Sequence, residues 1–289
     1  MTRDGTHYLG SGHPRNEIQV ASSEHQTSAL LFTDIDGTLV AHDTYDPGPA
    51  AESVAKLQRA GIPVVLCSAK TRAEQEAIRV RLDLDDPYIV ENGAGVIFPV
   101  DFPGSLAGEG EQELVTFGLT YREVREGLEL AAAEAGLEVK GFGDLSVEEV
   151  SSLTGLTLAG AAKARNREFT ETFVIENPTP EREVLLSHHL EERGMGILHG
   201  ARYWTALGRH DKGQAVRFVI SRYEGSGSVT SYAVGDSVTD LGMLEAVDIP
   251  MLVQQADGSW ADLDLKGLVR LKGIGPEGWS RAAHVLLKR

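Results

Sequence analysis

Cysteine is all but missing from this chain of 289 residues: Cys67 stands alone, which rules out an internal disulfide framework and fits a reducing compartment. Basic side chains are outnumbered, 27 Lys and Arg against 43 Asp and Glu, and a net charge of −16 would repel nucleic-acid backbones. An anionic small substrate would therefore need a local positive site. No apolar run approaches the ~18 residues of a membrane helix, and residues 1–28 contain no apolar stretch that could serve as a signal peptide. They read as a polar, disordered N-terminal tail. The expectation is a cytoplasmic protein with neither nucleic-acid nor membrane partners. The composition, 42% hydrophobic and 24% charged, is that of a soluble globular protein, long enough for two domains or one large one.

After the tail, ALLFTDI predicts a buried strand and PGPAAESVAKLQRAGI a helix from about Pro49 to Gly61. PVVLCSA is a second apolar run, TRAEQEAIRVRLDL a second amphipathic helix, and YIVENGAGVIFPV supplies strand signals around a glycine turn. Strand and helix alternating at this spacing predict a Rossmann-like parallel sheet with both faces covered. From about residue 101 the texture changes to short strand-like pieces (ELVTF, LEVKGF, FTETFVI, GILHG, YWTAL) separated by helices, a pattern of an α+β module. The earlier style returns after His210 with a helix in DKGQAVRFVISRYEG, a strand in SVTSYAVGDS and a helix in DLGMLEAV. The chain thus reads as an α/β core, 29–100 and 208–289, interrupted by an inserted domain, 101–207.

The chemistry gathers at strand ends. In a parallel sheet all strand C-termini share one edge, where ligands bind. Asp34 follows LLFT, Ser68 follows VVLC and Asp236 follows SYAVG, so these polar groups should converge. Carboxylates gathered without a fixed cation suit a hard, oxygen-seeking ion such as Mg²⁺. In DIDGT, Asp34 has the position of a nucleophile and Asp36 that of a general acid and base, while Gly37 permits close backbone approach. A lone D-x-D is ordinarily a turn or a helix cap. The whole string DIDGT after an apolar strand is far more specific.

TDIDGT, CSAKT, HDKG and GDSVTD, in this order, resemble the four motifs of the haloacid dehalogenase superfamily of phosphatases, and the resemblance spans the chain from residue 29 onward. It implies that Asp34 is the nucleophile, Asp36 the acid/base, Ser68 a phosphate hydrogen-bond donor and Lys212 the cation stabilising the transferred group. Mg²⁺ would be held by Asp34, the Asp36 carbonyl and Asp236, with Asp240 supporting the metal shell. The insert resembles a C2B-type cap. Thr239 departs from the pattern, standing where many relatives carry asparagine.

A narrower resemblance, to the mannosyl-3-phosphoglycerate phosphatase family, runs through SAKTRAE, IVENGAGVIFP, GFGDLS, LTGLTLAGAAKARNREFTET, HGARYW, DKGQAV and GPEGW. It implies hydrolysis of 2-O-mannosyl-3-phosphoglycerate to mannosylglycerate, a compatible solute. Such a phosphorylated glycosyl-glycerate needs cations and polar partners, and the candidates are Lys70, Arg72, Glu91, Asn92, Arg165, Arg167 and Glu168. Any one of these could equally be a solvated surface charge. Alternative readings are a phosphatase of the same fold acting on glucosyl-3-phosphoglycerate or another sugar phosphate, a phosphomutase, and a catalytically silent sugar-phosphate sensor. Other conspicuous residues take structural readings: Cys67 as a buried strand residue, His188 and His189 as solvent-facing, Tyr203 and Trp204 as packing aromatics. The acidic run LDLDD lacks the alternation, glycine and terminal glutamate of a calcium loop.

Overall fold

The computed structural model describes residues 29–200, 202–225 and 227–288; the tail expected over 1–28 lies outside the described residues. Burial on alternate faces explains the first strands. In β1 (Ala29–Thr33), Leu30 and Phe32 pack into one core while Leu31 packs into another, so both faces are covered and the run is continuously apolar. After β1 come α1 (Ala50–Arg59), β2 (Val64–Cys67), α2 (Arg72–Leu82), β3 (Tyr88–Val90), β4 (Gly95–Phe98) and β5 (Glu113–Thr116). A Thr71–Glu74 capping box opens α2, and Asp83 closes it in the left-handed region.

Then follow α3 (Tyr121–Ala135), β6 (Glu138–Gly141), α4 (Val147–Thr154), α5 (Leu158–Arg165), β7 (Glu171–Glu176), α6 (Pro180–Glu192), β8 (Met195–His199) and β9 (Trp204–Gly208). The chain ends with α7 (Lys212–Glu224), β10 (Thr230–Gly235), α8 (Leu241–Glu245), β11 (Ile249–Gln254), β12 (Val269–Ile274) and α9 (Pro276–Leu287).

Two sheets organise these elements. The larger has eight strands in the order β12-β11-β10-β1-β2-β3-β4-β5, parallel from β12 to β3 and antiparallel at β4 and β5. On one face α1 and α9 bury Val54, Leu57, Trp279 and Leu286. On the other, α7 and α8 bury Val216, Val219, Met243 and Leu244. The smaller sheet is antiparallel, β6-β7-β9-β8, with α3 and α6 closing a core around Val124, Leu128, Phe173, Leu186 and Leu190.

One departure from the sequence reading follows from non-local pairing. ELVTF, read as part of the insert that begins at residue 101, becomes β5 and pairs with β4 at the edge of the larger sheet. The sheet is mainly parallel, as the sequence predicts, and β4 runs antiparallel to β3 because a short turn joins them. Cys67 is fully buried at the end of β2, and burial pushes its thiol far up.

Candidate active site

Parallel pairing aligns the strand ends. Thr33 of β1 lies level with Val234 of β10 and Leu66 of β2, so the residues that follow, Asp34, Asp236 and Ser68, share one edge of the sheet. The backbone fixes Asp34 further: its N–H donates to the Val234 carbonyl at 3.0 Å. Beneath it, Trp279 Nε1 donates to Thr33 Oγ1 at 2.8 Å, tying the strand that leads into Asp34 to α9.

Lys212, the first residue of α7, drives its ammonium into the middle of this edge, 2.8 Å from Asp34 Oδ1 and 2.7 Å from Asp240 Oδ1. A cation at a helix N-terminus is opposed by the macrodipole, and the two carboxylates offset that opposition. They also hold the lysine firmly charged against the cost of its burial. Asp240 is saturated by protein donors: besides Lys212, its Oδ2 accepts from Asp236 N, Ser237 N and Ser237 Oγ. It therefore organises the turn after β10. Thr239, where an amide was anticipated, uses its hydroxyl on Ser237 Oγ at 2.8 Å.

The remaining acidity is in excess of what Lys212 neutralises. Burial first, and the neighbouring carboxylates Asp240, Asp236 and Asp36 after it, push the Asp34 carboxyl well above the ordinary range against the pull of Lys212. Burial and Asp240 likewise raise Asp236 to about 6. Ligand oxygens of Asp34, Asp236 and Asp240 lie within 4.8 Å of one another. An all-oxygen donor set with surplus negative charge fits a hard divalent cation. Since Asp240 is spoken for, Asp34 and Asp236 are the carboxylates with capacity left for one. Gly37 fits the same picture: at φ +78° a Cβ there would stand 2.9 Å from Asp236 Oδ2, so glycine is needed for the approach of this carboxylate.

Asp36 sits apart from that cluster. Its Oδ2 pairs with Lys70 Nζ at 3.0 Å, and Lys70 is in turn 3.7 Å from Glu74 and 4.8 Å above the Tyr45 ring. Asp36 Oδ1 is buried and has no hydrogen-bond partner among the described residues. Ser68 is buried two residues before Lys70, and its Oγ accepts from Lys70 N at 3.4 Å.

Arg72, Glu91, Asn92, Arg167 and Glu168 converge on a junction between the β2 and β3 loops and the segment between α5 and β7. Arg72 grips Glu168 with Nε and a terminal nitrogen, at 3.0 and 3.3 Å. Arg167 donates to Thr170 Oγ1 and, across the junction, to the Ala69 carbonyl at 3.1 Å. Arg165 donates to the Phe142 carbonyl. Glu91 is completely buried, its carboxylate accepting from the backbone of residues 168–170, and Asn92 beside it is almost as buried. The β2 loop is joined to α5 a second time, by Thr71 Oγ1 donating to the Lys163 carbonyl at 2.9 Å.

Three contributors escaped the sequence reading. Thr38, inside the DIDGT string, donates to Asp236 Oδ1 at 3.1 Å, and its place in that string was the available signal. Tyr45 over Lys70 and Thr170 on Glu91 had none, since both contacts are made only when distant segments fold together.

Residues 31–103 match the haloacid dehalogenase-like hydrolase family. The chain is 38% identical over 264 residues to a glucosyl-3-phosphoglycerate/mannosyl-3-phosphoglycerate phosphatase of Methanococcoides burtonii, covering 89% of this chain and 97% of that protein. It is 34% identical over 228 residues to a mannosyl-3-phosphoglycerate phosphatase of Pyrococcus furiosus, 78% of this chain and 90% of the relative. Among solved structures, a haloacid dehalogenase subclass IIB sugar phosphatase aligns with a TM-score of 0.60 at 18% identity, over 90% of this chain and 99% of that one. That likeness shows the fold alone. The chain belongs to the haloacid dehalogenase-like hydrolases and, within them, to the family of these glycosyl-3-phosphoglycerate phosphatases.

Proposed function

We propose that this protein is a phosphoric monoester hydrolase that removes phosphate from a 2-O-glycosyl-3-phosphoglycerate, with the mannosyl ester as first substrate and the glucosyl ester as second. The observation that carries the chemistry is the Asp34 carboxylate at a central strand end, bound to a buried Lys212 and surrounded by Asp236 and Asp240. The substrate class rests on relatives of 34–38% identity whose matches run through the smaller sheet as well as the larger. In our reading the insert, from α3 to β9, is the cap over this site, and the single buried cysteine supports a cytoplasmic location.

Asp34 is the nucleophile. One of its oxygens bonds to phosphorus while the bond from phosphorus to the glycerate C3 oxygen breaks, giving an aspartyl-phosphate. Asp36 in its acid form gives its proton to the departing oxygen, then takes one from the water that attacks the aspartyl-phosphate, releasing phosphate and restoring Asp34. Lys70 holds Asp36 by one oxygen, leaving Oδ1 for that exchange. Lys212 and Ser68 supply positive charge and a hydrogen bond to the moving phosphoryl group. A bound Mg²⁺, held by Asp34, Asp236 and the Asp36 carbonyl with Asp240 in support, would add charge neutralisation at the phosphate.

The test is phosphate release from a panel of mannosyl- and glucosyl-3-phosphoglycerates and simple sugar phosphates, with Mg²⁺ and with EDTA. Metal-dependent release from the glycosyl-phosphoglycerates above all others is expected. Release from simple sugar phosphates alone would overturn the substrate, and phosphoryl transfer to sugar without free phosphate would mean a phosphomutase.

A further inference from the structure

Glu91 is a sequence candidate that the structure turns away from solvent, and its surroundings are unlike those of a ligand-binding side chain. Its exposure is 0%. Oε1 accepts from Glu168 N at 2.7 Å; Oε2 accepts from Phe169 N at 3.1 Å, Thr170 N at 2.8 Å and Thr170 Oγ1 at 2.7 Å. Four donors occupy one carboxylate, and the Arg167 guanidinium approaches Oε2 at 3.7 Å. No oxygen is left to meet a sugar.

The backbone that carries Glu91 is held in an unfavourable shape. Glu91, Asn92 and Gly93 have successive φ values of +49°, +62° and +95°, and each non-glycine residue in this region costs about 1 kcal/mol or more unless its surroundings enforce it. The enforcing contacts are the parts of the catalytic apparatus. Glu91 N donates to the Lys70 carbonyl and Asn92 N to the Ser68 carbonyl. A Cβ on Gly93 would stand 2.2 Å from the Asp211 carbonyl, just ahead of Lys212. Both segments that connect the two sheets meet this turn as well: Phe117 N and Gly118 N donate to the Ala94 carbonyl, and the His210 ring approaches the Glu91 carbonyl at 3.3 Å.

We infer that Glu91 is a positioning residue that fastens the segment bearing Arg165, Arg167 and Glu168 to the turn behind Ser68 and Lys212, and thereby sets where the cap presents its polar groups to the substrate. Charge-assisted bonds to backbone N–H groups are the stronger kind and are directional. A single rigid turn therefore registers cap and catalytic loops against one another. The inference rests on the phosphatase reading for its consequence, and on the hydrogen bonds alone for its geometry.

The experiment uses the full chain and Glu91→Gln, which keeps size and removes charge, so that one amide N–H₂ must face backbone donors. Two quantities are read: the ratio of kcat/KM for mannosyl-3-phosphoglycerate to kcat/KM for p-nitrophenyl phosphate, which has neither sugar nor glycerate, and amide hydrogen exchange of residues 168–170. The ratio should fall about tenfold to a hundredfold, and exchange at 168–170 should accelerate while β7 and β9 stay protected. Thr170→Val, which removes one of the four donors, should move both readouts the same way by a smaller factor, and it decides the matter if Glu91→Gln does not fold. Equal losses on both substrates, or unchanged exchange at 168–170, would overturn the inference. If the wild-type protein hydrolyses no glycosyl-phosphoglycerate, the phosphatase reading fails by itself and exchange alone judges the fastening.

Discussion

Lys212 Nζ stands 2.8 Å from Asp34 Oδ1, although 178 residues separate the two along the chain. The pair is buried, and Asp240 shares the same ammonium. Lys212→Met would leave two carboxylates without their cation in a dry site. The expected loss is about 3–5 kcal/mol of folding stability, measured by urea denaturation in EDTA, together with loss of turnover. A stability loss below about 1 kcal/mol would show that the pair contributes little to the fold.

Asp34→Asn conserves shape and keeps a hydrogen bond to Lys212 while removing the carboxylate proposed as nucleophile. Turnover should fall by about 10⁴-fold or more with stability unchanged or raised, since burial makes the Asp34 anion costly. Steady-state phosphate release and a denaturation curve check both halves. Turnover near the wild-type rate would remove Asp34 from the role of nucleophile.

Lys70 was a candidate for the substrate, and its ammonium lies on Asp36 instead. Lys70→Met should lower kcat by about tenfold to a hundredfold with a smaller change in KM. A raised KM at constant kcat would return Lys70 to the substrate.

Asp86 offers a pH test remote from the site. Burial raises its carboxyl to about 6 even though Oδ2 accepts the Val64 N–H at 2.8 Å. A folded-state value above the unfolded one, about 3.9, favours the folded state at low pH. That contribution is fully present below about pH 3.9 and is lost as pH rises through 6. Asp86→Asn, which can still accept from Val64, should therefore gain in stability relative to wild type between pH 4 and pH 7, by about 1–3 kcal/mol. Paired melting curves across this interval would show the gain; a constant difference would refute it.

Gly93→Ala tests the turn behind the catalytic loops. At φ +95°, with the Asp211 carbonyl 2.2 Å from the new Cβ, either the turn or the start of α7 must shift. The expectation is a loss of more than about 1 kcal/mol and a lower kcat, as Lys212 moves with α7. Full activity and stability would mean that the turn is not fastened to that helix.

Several features were legible without coordinates because they are local. A strand-forming run ending in DIDGT places Asp34 at a sheet edge whatever packs on it, and the same holds for Ser68 after VVLC and Asp236 after SYAVG. The smaller antiparallel sheet was legible as a change of texture. Its near boundary was not, since whether ELVTF joins one sheet or the other is settled by an edge pairing that leaves no mark in its own residues. Strand β12 went unread because VRLKGI alternates weakly and is mostly exposed, whereas β11, IPMLVQ, is a buried apolar run that was legible and was passed over.

The sequence by itself placed Asp34, Ser68 and Asp236 at strand ends, because chain direction and hydrophobic period dictate where a strand stops, and Lys212 entered through the resemblance of HDKG to a family motif. The tertiary structure alone decided the partners. Glu91 and Thr170 are 79 residues apart, and Asp36 could have met any of several cations. Glu91 faces backbone N–H groups and Lys70 faces the Asp36 carboxylate, because a buried charge must be satisfied by whatever partners the packing of two separate sheets brings within about 3 Å.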